Sequence, residues 1–374
     1  MTGMNDARTS AIDQTTGDLY IAQAGGNVAK LAVVRTIPWG PAPSLIKSTT
    51  LTPNFDSIPS PLGVTVDLQG NLYGVNAASN TNAYIMQWKS PLTAGATGTI
   101  FAGNGVTSPS TLAGGASAPA TSLQFPLIKN IRMDAVGNMY VSGYSANVVY
   151  KIDTSGVCTI VAGTYNVGGS TGDGGAATSA TMHYVEDVAI SALNGDMYVA
   201  DAYSPQDISV VRRVDGTTHI ISTYAGNRLS SAVVNNVVAT SCGMKYSSGL
   251  TLDAFDNLYI MDRDNNVILY VNKATGIITT FAGTPGAVST SGDGGPAVSA
   301  RFDAFCWDVT YDRYGMLWVT CGSNTVAAGY VRMVDLTSKD KIITTVASGM
   351  SLDTHLSPLI PNPNQHDVDV DVVI

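Results

Sequence analysis

The sequence predicts an all-β chain, a six-bladed β-propeller of four-stranded antiparallel blades over residues 8–349, followed by an acidic, alternating tail at 350–374. Three observations predict it. One hairpin pattern recurs six times at a period of about 60 residues. Val, Ile, Tyr and Thr alternate with polar residues at period two throughout, and no segment keeps apolar residues at helical spacing for more than a turn or two.

The hairpins come first in each unit. They read AIDQTTGDLYIA, VTVDLQGNLYGV, IRMDAVGNMYVS, VAISALNGDMYVA, LTLDAFDNLYIM and VTYDRYGMLWVT, anchored on Tyr20, Tyr73, Tyr140, Tyr198, Tyr259 and Trp318. Their Asp, Asn and Gly residues supply the turn chemistry that a tight hairpin demands. A second turn carrying Asn27, Asn147, Asn266 or Asn324 leads to a third strand such as Val148 to Asp153. A fourth strand ends at Gly103, Gly163, Gly226, Gly283 or Gly349. Six such sheets without helices to cover them bury both faces by stacking radially into a ring.

Composition narrows the function. Charged residues make up 13% of the 374 positions, hydrophobic residues 45%, and the net charge is −9, which excludes a disordered chain and argues against a nucleic-acid partner. No stretch approaches the ~18 consecutive apolar residues of a membrane span. Met1 to Gly17 has no apolar signal segment, so an extracellular or cell-surface location implies a mature form or a fragment.

The runs AVGNMYVSGYSANVVYKID and GVCTIVAG, with the loop GDGGPAVSARF, resemble NHL repeats of the long-loop, secreted type, over about residues 9–349. The resemblance implies a six-bladed propeller, in a family that includes protein-binding, RNA-binding and sensor members and relatives with enzyme activity. Related six-bladed lactonases hold a divalent metal with Glu, Asn and Asp. They carry that Glu in the first inner strand, where this chain has Arg8, Thr9 and Ser10.

The surplus length of each unit lies between blades. Two of these loops are nearly one peptide, Gly172 to Ala180 and Gly292 to Ala300. A calcium loop is one reading, although one carboxylate falls short of the 6 to 8 oxygens that the ion takes. The other is a turn followed by one helical turn, with Met182 or Phe302 plugged between blades. The tail alternates Asp367-Val368-Asp369-Val370-Asp371-Val372 and is read as a clasp, a donor strand for self-association, or a linker. The first strand begins near Arg8 and the last ends near Ser348, so the ring closes at a blade boundary.

Four cysteines allow three pairings. With a turn at Asp312 to Gly315 and Tyr311 facing Met316, Cys306 falls opposite Cys321, and a cross-strand disulfide is expected there. Cys158 and Cys242 have no evident partner.

Propellers bind at the ends of the central channel, where the inner strands begin. The six pairs entering those strands are Arg8-Thr9, Leu62-Gly63, Lys129-Asn130, Glu186-Asp187, Ser248-Gly249 and Trp307-Asp308. Glu186 is the single Glu among 28 acidic residues, and His183 precedes it. Glu186 either pairs with Lys129 or Arg8 across the mouth, or joins a ligand site. The candidate site is Arg8, Lys129, Asn130, His183, Glu186, Asp187, Trp307 and Asp308, with Glu186, Asp187 and Asp308 as candidate ligands of a divalent cation such as calcium. No nucleophile elbow, Walker loop or H-E-x-x-H is present, so no catalytic residue is assigned. The expectation is a non-enzymatic extracellular module that binds a protein or glycan or self-assembles, with Trp39, Tyr165 and Tyr203 as possible aromatic anchors in its loops. A metal-dependent hydrolase or lactonase at the channel mouth is the alternative.

Overall fold

The computed structural model describes residues 7–23, 27–34, 45–49, 61–76, 82–92, 97–104, 112, 116–203, 208–303, 305–322 and 329–348. The expected tail and Trp39 lie outside the described residues, as does the side chain of Tyr203.

Among the described residues, twenty-six strands form six antiparallel sheets. The first is β1 (Ala7–Ile12), β2 (Leu19–Gln23), β3 (Asn27–Val34) and β4 (Leu45–Thr49). The second is β5 (Pro61–Val66), β6 (Leu72–Asn76), β7 (Tyr84–Trp88) and β8 (Thr99–Ala102). The third takes β10 (Ile128–Met133), β11 (Met139–Gly143), β12 (Val148–Ile152) and β13 (Val157–Ala162), with β9 (Ser117–Pro119) on its outer edge. The fourth is β14 (Val185–Ile190), β15 (Met197–Tyr203), β16 (Ile208–Val214) and β17 (Ile221–Ala225). The fifth takes β19 (Ser247–Leu252), β20 (Leu258–Asp262), β21 (Val267–Val271) and β22 (Ile277–Ala282), edged by β18 (Val237–Val238). The sixth is β23 (Cys306–Tyr311), β24 (Met316–Cys321), β25 (Tyr330–Asp335) and β26 (Ile343–Ser348).

The inner strands close a ring. β1 packs on β5, β5 on β10, β10 on β14, β14 on β19, β19 on β23, and β23 on β1. At the seam between first and last sheets, the Ser10 N–H donates to Asp308 Oδ2 at 2.8 Å, and Thr320 Oγ1 donates to the Arg8 carbonyl at 3.1 Å. Each of these two sheets is built from its own consecutive strands, so closure comes by packing.

The expectation of four strands per sheet needs correcting in two places. β9 and β18, read from the sequence as inter-blade loop, pair with the outer strands β13 and β22. An outer strand leaves a row of unpaired N–H and C=O groups, and the passing linker satisfies part of it. In the fourth and sixth sheets the same role shrinks to single bridges, Ala176 to Ile220 and Pro296 to Ile342.

The linkers share one device. Short 3-10 turns at Ala120–Ser122, Ala177–Ser179, Ala239–Ser241 and Ala297–Ser299 each bury their alanine. The carbonyl of that alanine accepts the N–H of the glycine ending a fourth strand, as in Gly163 to Ala177 and Gly283 to Ala297, both 2.9 Å. Gly163 has φ +87°, and a Cβ there would come within 2.3 Å of the Asn147 carbonyl, so only glycine fits. Met182 and Phe302, which follow two of the turns, are fully buried, as the plug reading expects. The loop carboxylates pair with buried arginines. Asp173 Oδ1 accepts from the buried Arg212 guanidinium at 2.6 Å, and Asp293 accepts in the same way from Arg332.

Hairpin acids cap their own turns. Asp67 Oδ1 accepts the N–H groups of Gln69 and Asn71 at 2.9 and 2.8 Å, while its Oδ2 accepts from the Tyr73 hydroxyl at 3.0 Å. Asp312 does the same for Tyr314 and Met316 and receives the Trp318 indole N–H at 3.0 Å. The repeated Asp-to-aromatic spacing is therefore a turn clamp. No helix of the described residues is long and apolar enough to cross a membrane.

Candidate functional site

All six inner strands begin with the same irregularity. The register of β1–β2 shifts by one residue between Ala7 and Ser10, and the same shift occurs in β5–β6 between Pro61 and Val64. It recurs between Ile128 and Ile131, Val185 and Val188, Ser247 and Gly249, and Cys306 and Asp308. A β-bulge breaks the period-two alternation, so two neighbouring side chains can both turn toward the axis. The bulged residues are the six pairs singled out in the sequence.

The bulge also corrects the disulfide arithmetic. Tyr311 pairs with Leu317, one residue away from the expected Met316. The extra residue at Trp307 then restores the register, Cys306 faces Cys321, and the bridge forms. Cys158 and Cys242 are buried free thiols, and burial pushes both up from the ordinary thiol range.

The first residues of the bulges form the mouth. Arg8, Leu62, Lys129, Glu186, Ser248 and Trp307, with Thr9 and Asn130 behind them, line a cavity of about 200 Å³. The second residues form the next layer: Thr9, Gly63, Asn130, Asp187, Gly249 and Asp308. Asn130, Asp187 and Asp308 each accept the N–H of the following residue, at 2.9, 2.8 and 2.9 Å. The glycines make room for them. A Cβ on Gly63 would lie 2.8 Å from the Asn130 Cα, and one on Gly249 would lie 2.8 Å from the Asp308 Cα.

Two residues deeper, the inner strands carry Ala11, Thr65, Arg132, Ala189, Thr251 and Thr310. Five are small and one is long, so Arg132 fills the axis. Its Nε and Nη2 donate to Asp187 at 3.1 and 2.7 Å, Nη2 also reaches Asp308 Oδ1 at 2.7 Å, and Nη1 donates to the Ser10 carbonyl at 3.1 Å. Both carboxylates are 0% exposed. Burial, joined by the second carboxylate on the same guanidinium, holds Asp308 above the usual carboxylate range, and the Arg132 charge opposes that rise. Beyond this layer a second cavity of about 430 Å³ opens at the hairpin end, with Arg132, Thr251 and Arg313 in its wall.

This arrangement divides the cation set proposed from sequence between two layers. Asp187 and Asp308 do not stand beside Glu186 at the rim but lie beneath it. Asp187 Oδ2 also accepts the Leu250 N–H at 2.9 Å, and Asp308 Oδ2 takes the Ser10 N–H. Their oxygens are filled by the protein's own donors. Among the described residues no group of three or more His, Cys, Asp or Glu side chains is gathered to hold an ion.

Glu186 is 3% exposed. Its Oε1 accepts a hydrogen bond from the Tyr246 hydroxyl, and the pairing with Lys129 considered from sequence does not form. Burial, together with the Glu186 charge, raises Tyr246 far above the ordinary phenol range, so it stays a donor. Glu186 Oε2 takes no hydrogen bond among the described residues, nor does Asn130 Nδ2. Lys129 lies over the rings of Tyr144 and Trp307, with Nζ 4.8 and 5.6 Å from their centroids. Arg263 lies over Tyr246 and Trp307 at 4.0 and 4.4 Å.

Tyr144 in turn stacks on Tyr184, with centroids 4.7 Å apart and planes at 16°. Tyr184 has φ +53°, a costly conformation for a bulky residue. It is held there by its N–H on Asn147 Oδ1 at 3.0 Å and by the neighbouring His183 N–H on Asp201 Oδ1 at 2.8 Å. His183 therefore stands behind the wall, edge-on to Tyr184, and does not line the cavity; burial lowers it from the usual imidazole range. Tyr165 packs against the core of the second and third sheets. Sequence reasoning missed Arg132, Tyr144, Tyr246 and Arg263. Arg132 had a signal, as the one charged residue in its layer, whereas the others sit in loops of variable length.

Neither a family model nor a curated protein matches the chain. Solved structures do match. An auxiliary nutrient binding protein from Bacteroides thetaiotaomicron superposes with a TM-score of 0.57 at 12% identity, covering 93% of this chain and 70% of the other. A protein of the same description from Bacteroides ovatus gives 0.57 at 15%, with 93% and 70% covered. A luciferin-regenerating enzyme gives 0.50 at 11%, covering 93% and 94%. The chain is a β-propeller. At these identities the likeness carries the fold and nothing of the chemistry.

Proposed function

We propose that this is a six-bladed propeller of the NHL-like kind, working outside the cytoplasm as a non-enzymatic binding module, with a glycan seated in the bulged mouth. One observation carries the reading. Around a cavity of about 200 Å³, Glu186 Oε2, Asn130 Nδ2 and the Lys129 ammonium have no hydrogen-bonding partner among the described residues. Open donors and an open acceptor converging on one concave mouth suit a ligand rich in hydroxyls. The size suits one sugar ring, and Leu62 and Trp307 bring apolar side chains to the lining. The Cys306–Cys321 bridge supports an oxidising compartment. The two nutrient-binding neighbours are compatible with this role.

Metal-dependent hydrolysis, the other reading of a channel mouth, finds no support in the donor set. A binding screen tests the proposal: monosaccharides followed by saturation-transfer NMR, with Trp307→Ala as the comparison. Signal with the natural chain and its loss in the variant is the expected result. Equal signal in both moves the ligand elsewhere on the molecule.

A further inference from the structure

Resting on that reading, we infer that the ligand carries a carboxylate: the mouth is built for an acidic sugar, a uronic acid residue, rather than a neutral one. The chain as a whole has net charge −9, yet two of the three charged residues lining this cavity are cations. Among the residues that line the cavity, Arg8 and Lys129 stand against the single carboxylate of Glu186, and Arg263 backs the wall. Arg263 is answered by Asp264 at 2.7 Å. Lys129 has no carboxylate within reach among the described residues and rests on two aromatic faces. Such faces hold an ammonium in place at modest gain and leave its N–H donors for an anion.

The remaining polar atoms favour the same ligand. Asn130 spends its Oδ1 on the Ile131 N–H, so the amide turns its Nδ2 donor to the cavity. Thr9 Oγ1 is spent on the Leu62 carbonyl at 2.7 Å. Around the cavity, the donors without a hydrogen-bond partner include Lys129 Nζ, Asn130 Nδ2 and the buried Trp307 indole N–H, and the open acceptor is Glu186 Oε2. A ligand with a carboxylate at one end and hydroxyls at the other answers the charged pair and the amide: the carboxylate on the Lys129 side, a hydroxyl accepting from Asn130 Nδ2, and a hydroxyl donating to Glu186. The rigid Tyr144–Tyr184 stack, held at the cost of the Tyr184 backbone, fixes the platform under Lys129.

The test is a titration with D-glucuronate, D-glucose and L-glutamate by NMR at low and at moderate salt. Glucuronate is expected to bind at least about tenfold more tightly than glucose, a difference that salt reduces. Lys129→Met should lose about tenfold for glucuronate and collapse the preference, while Lys151→Met, over Tyr140 away from the mouth, should change nothing. Equal binding of glucose and glucuronate overturns the carboxylate inference and leaves the glycan reading standing. Preference for glutamate overturns it in favour of an amino acid. Failure of every sugar to bind overturns both.

Discussion

Two adjacent layers of the channel, one residue apart on every inner strand, behave in opposite ways. In the deeper layer Asp187 and Asp308 are completely buried, and both oxygens of each are taken by Arg132 and by backbone N–H groups. In the mouth layer Glu186 is nearly as buried but leaves one oxygen unanswered, and Lys129 meets only aromatic rings. The difference teaches how to separate structure from function in a charged channel: filled valences hold the ring, and open valences are where the proposed ligand would bind. A single β-bulge per blade creates both layers.

The largest break in this comparison comes from removing the plug. Arg132→Met leaves two buried carboxylates with backbone N–H donors but no countercharge and should cost about 3–5 kcal/mol in urea unfolding. Adding Asp187→Asn and Asp308→Asn should recover much of the loss; no recovery would mean that the triad acts through packing alone. Next, Cys306→Ser with Cys321→Ser opens a loop with a sequence separation of 15 at the foot of the Trp307 bulge. A loss of about 2–4 kcal/mol is expected, with weaker ligand binding, because the bridge pins the strand that carries Trp307.

Smaller again, Tyr246→Phe removes one hydrogen bond to a buried carboxylate, worth about 1–3 kcal/mol, and frees Glu186 to reorient. Binding should change more than stability. The mildest effect belongs to the hairpin end. There burial would raise Asp196, but hydrogen bonds from Arg213, the Gly216 N–H and Lys273 win and lower it to about 2. A carboxylate lowered on folding contributes stability above its unfolded value of 3.8, and that contribution fades as pH falls toward 2. Unfolding midpoints measured from pH 4 to pH 2 should therefore fall less steeply in Asp196→Asn, with mouth binding at pH 7 unaffected.

Much of this was legible in the sequence. Hairpin spacing revealed the repeat, and aligning the units placed the six bulged pairs at one end of the ring before their geometry was known. Period-two patterning does not reveal a bulge, however, so Asp187 and Asp308 were put at the rim with Glu186 when the extra residue turns them under it. The Cys306–Cys321 pairing came out right although the hairpin register was one residue off, because the Trp307 bulge compensates. Tyr246 and Arg263 were invisible for a different reason: they belong to loop and strand-end positions whose distance from Glu186 is set by packing between sheets, not by spacing along the chain.

The central claim is most directly tested by unfolding two neighbours side by side. Glu186→Gln keeps an acceptor for Tyr246 and touches only an open valence, so its urea midpoint should match the natural chain while ligand binding falls. Asp187→Asn, one residue on, disturbs a filled valence and should lose about 2–4 kcal/mol. Equal destabilisation by both variants, or a stable Asp187→Asn beside an unfolding Glu186→Gln, would contradict the division of the channel into a structural layer and a binding layer.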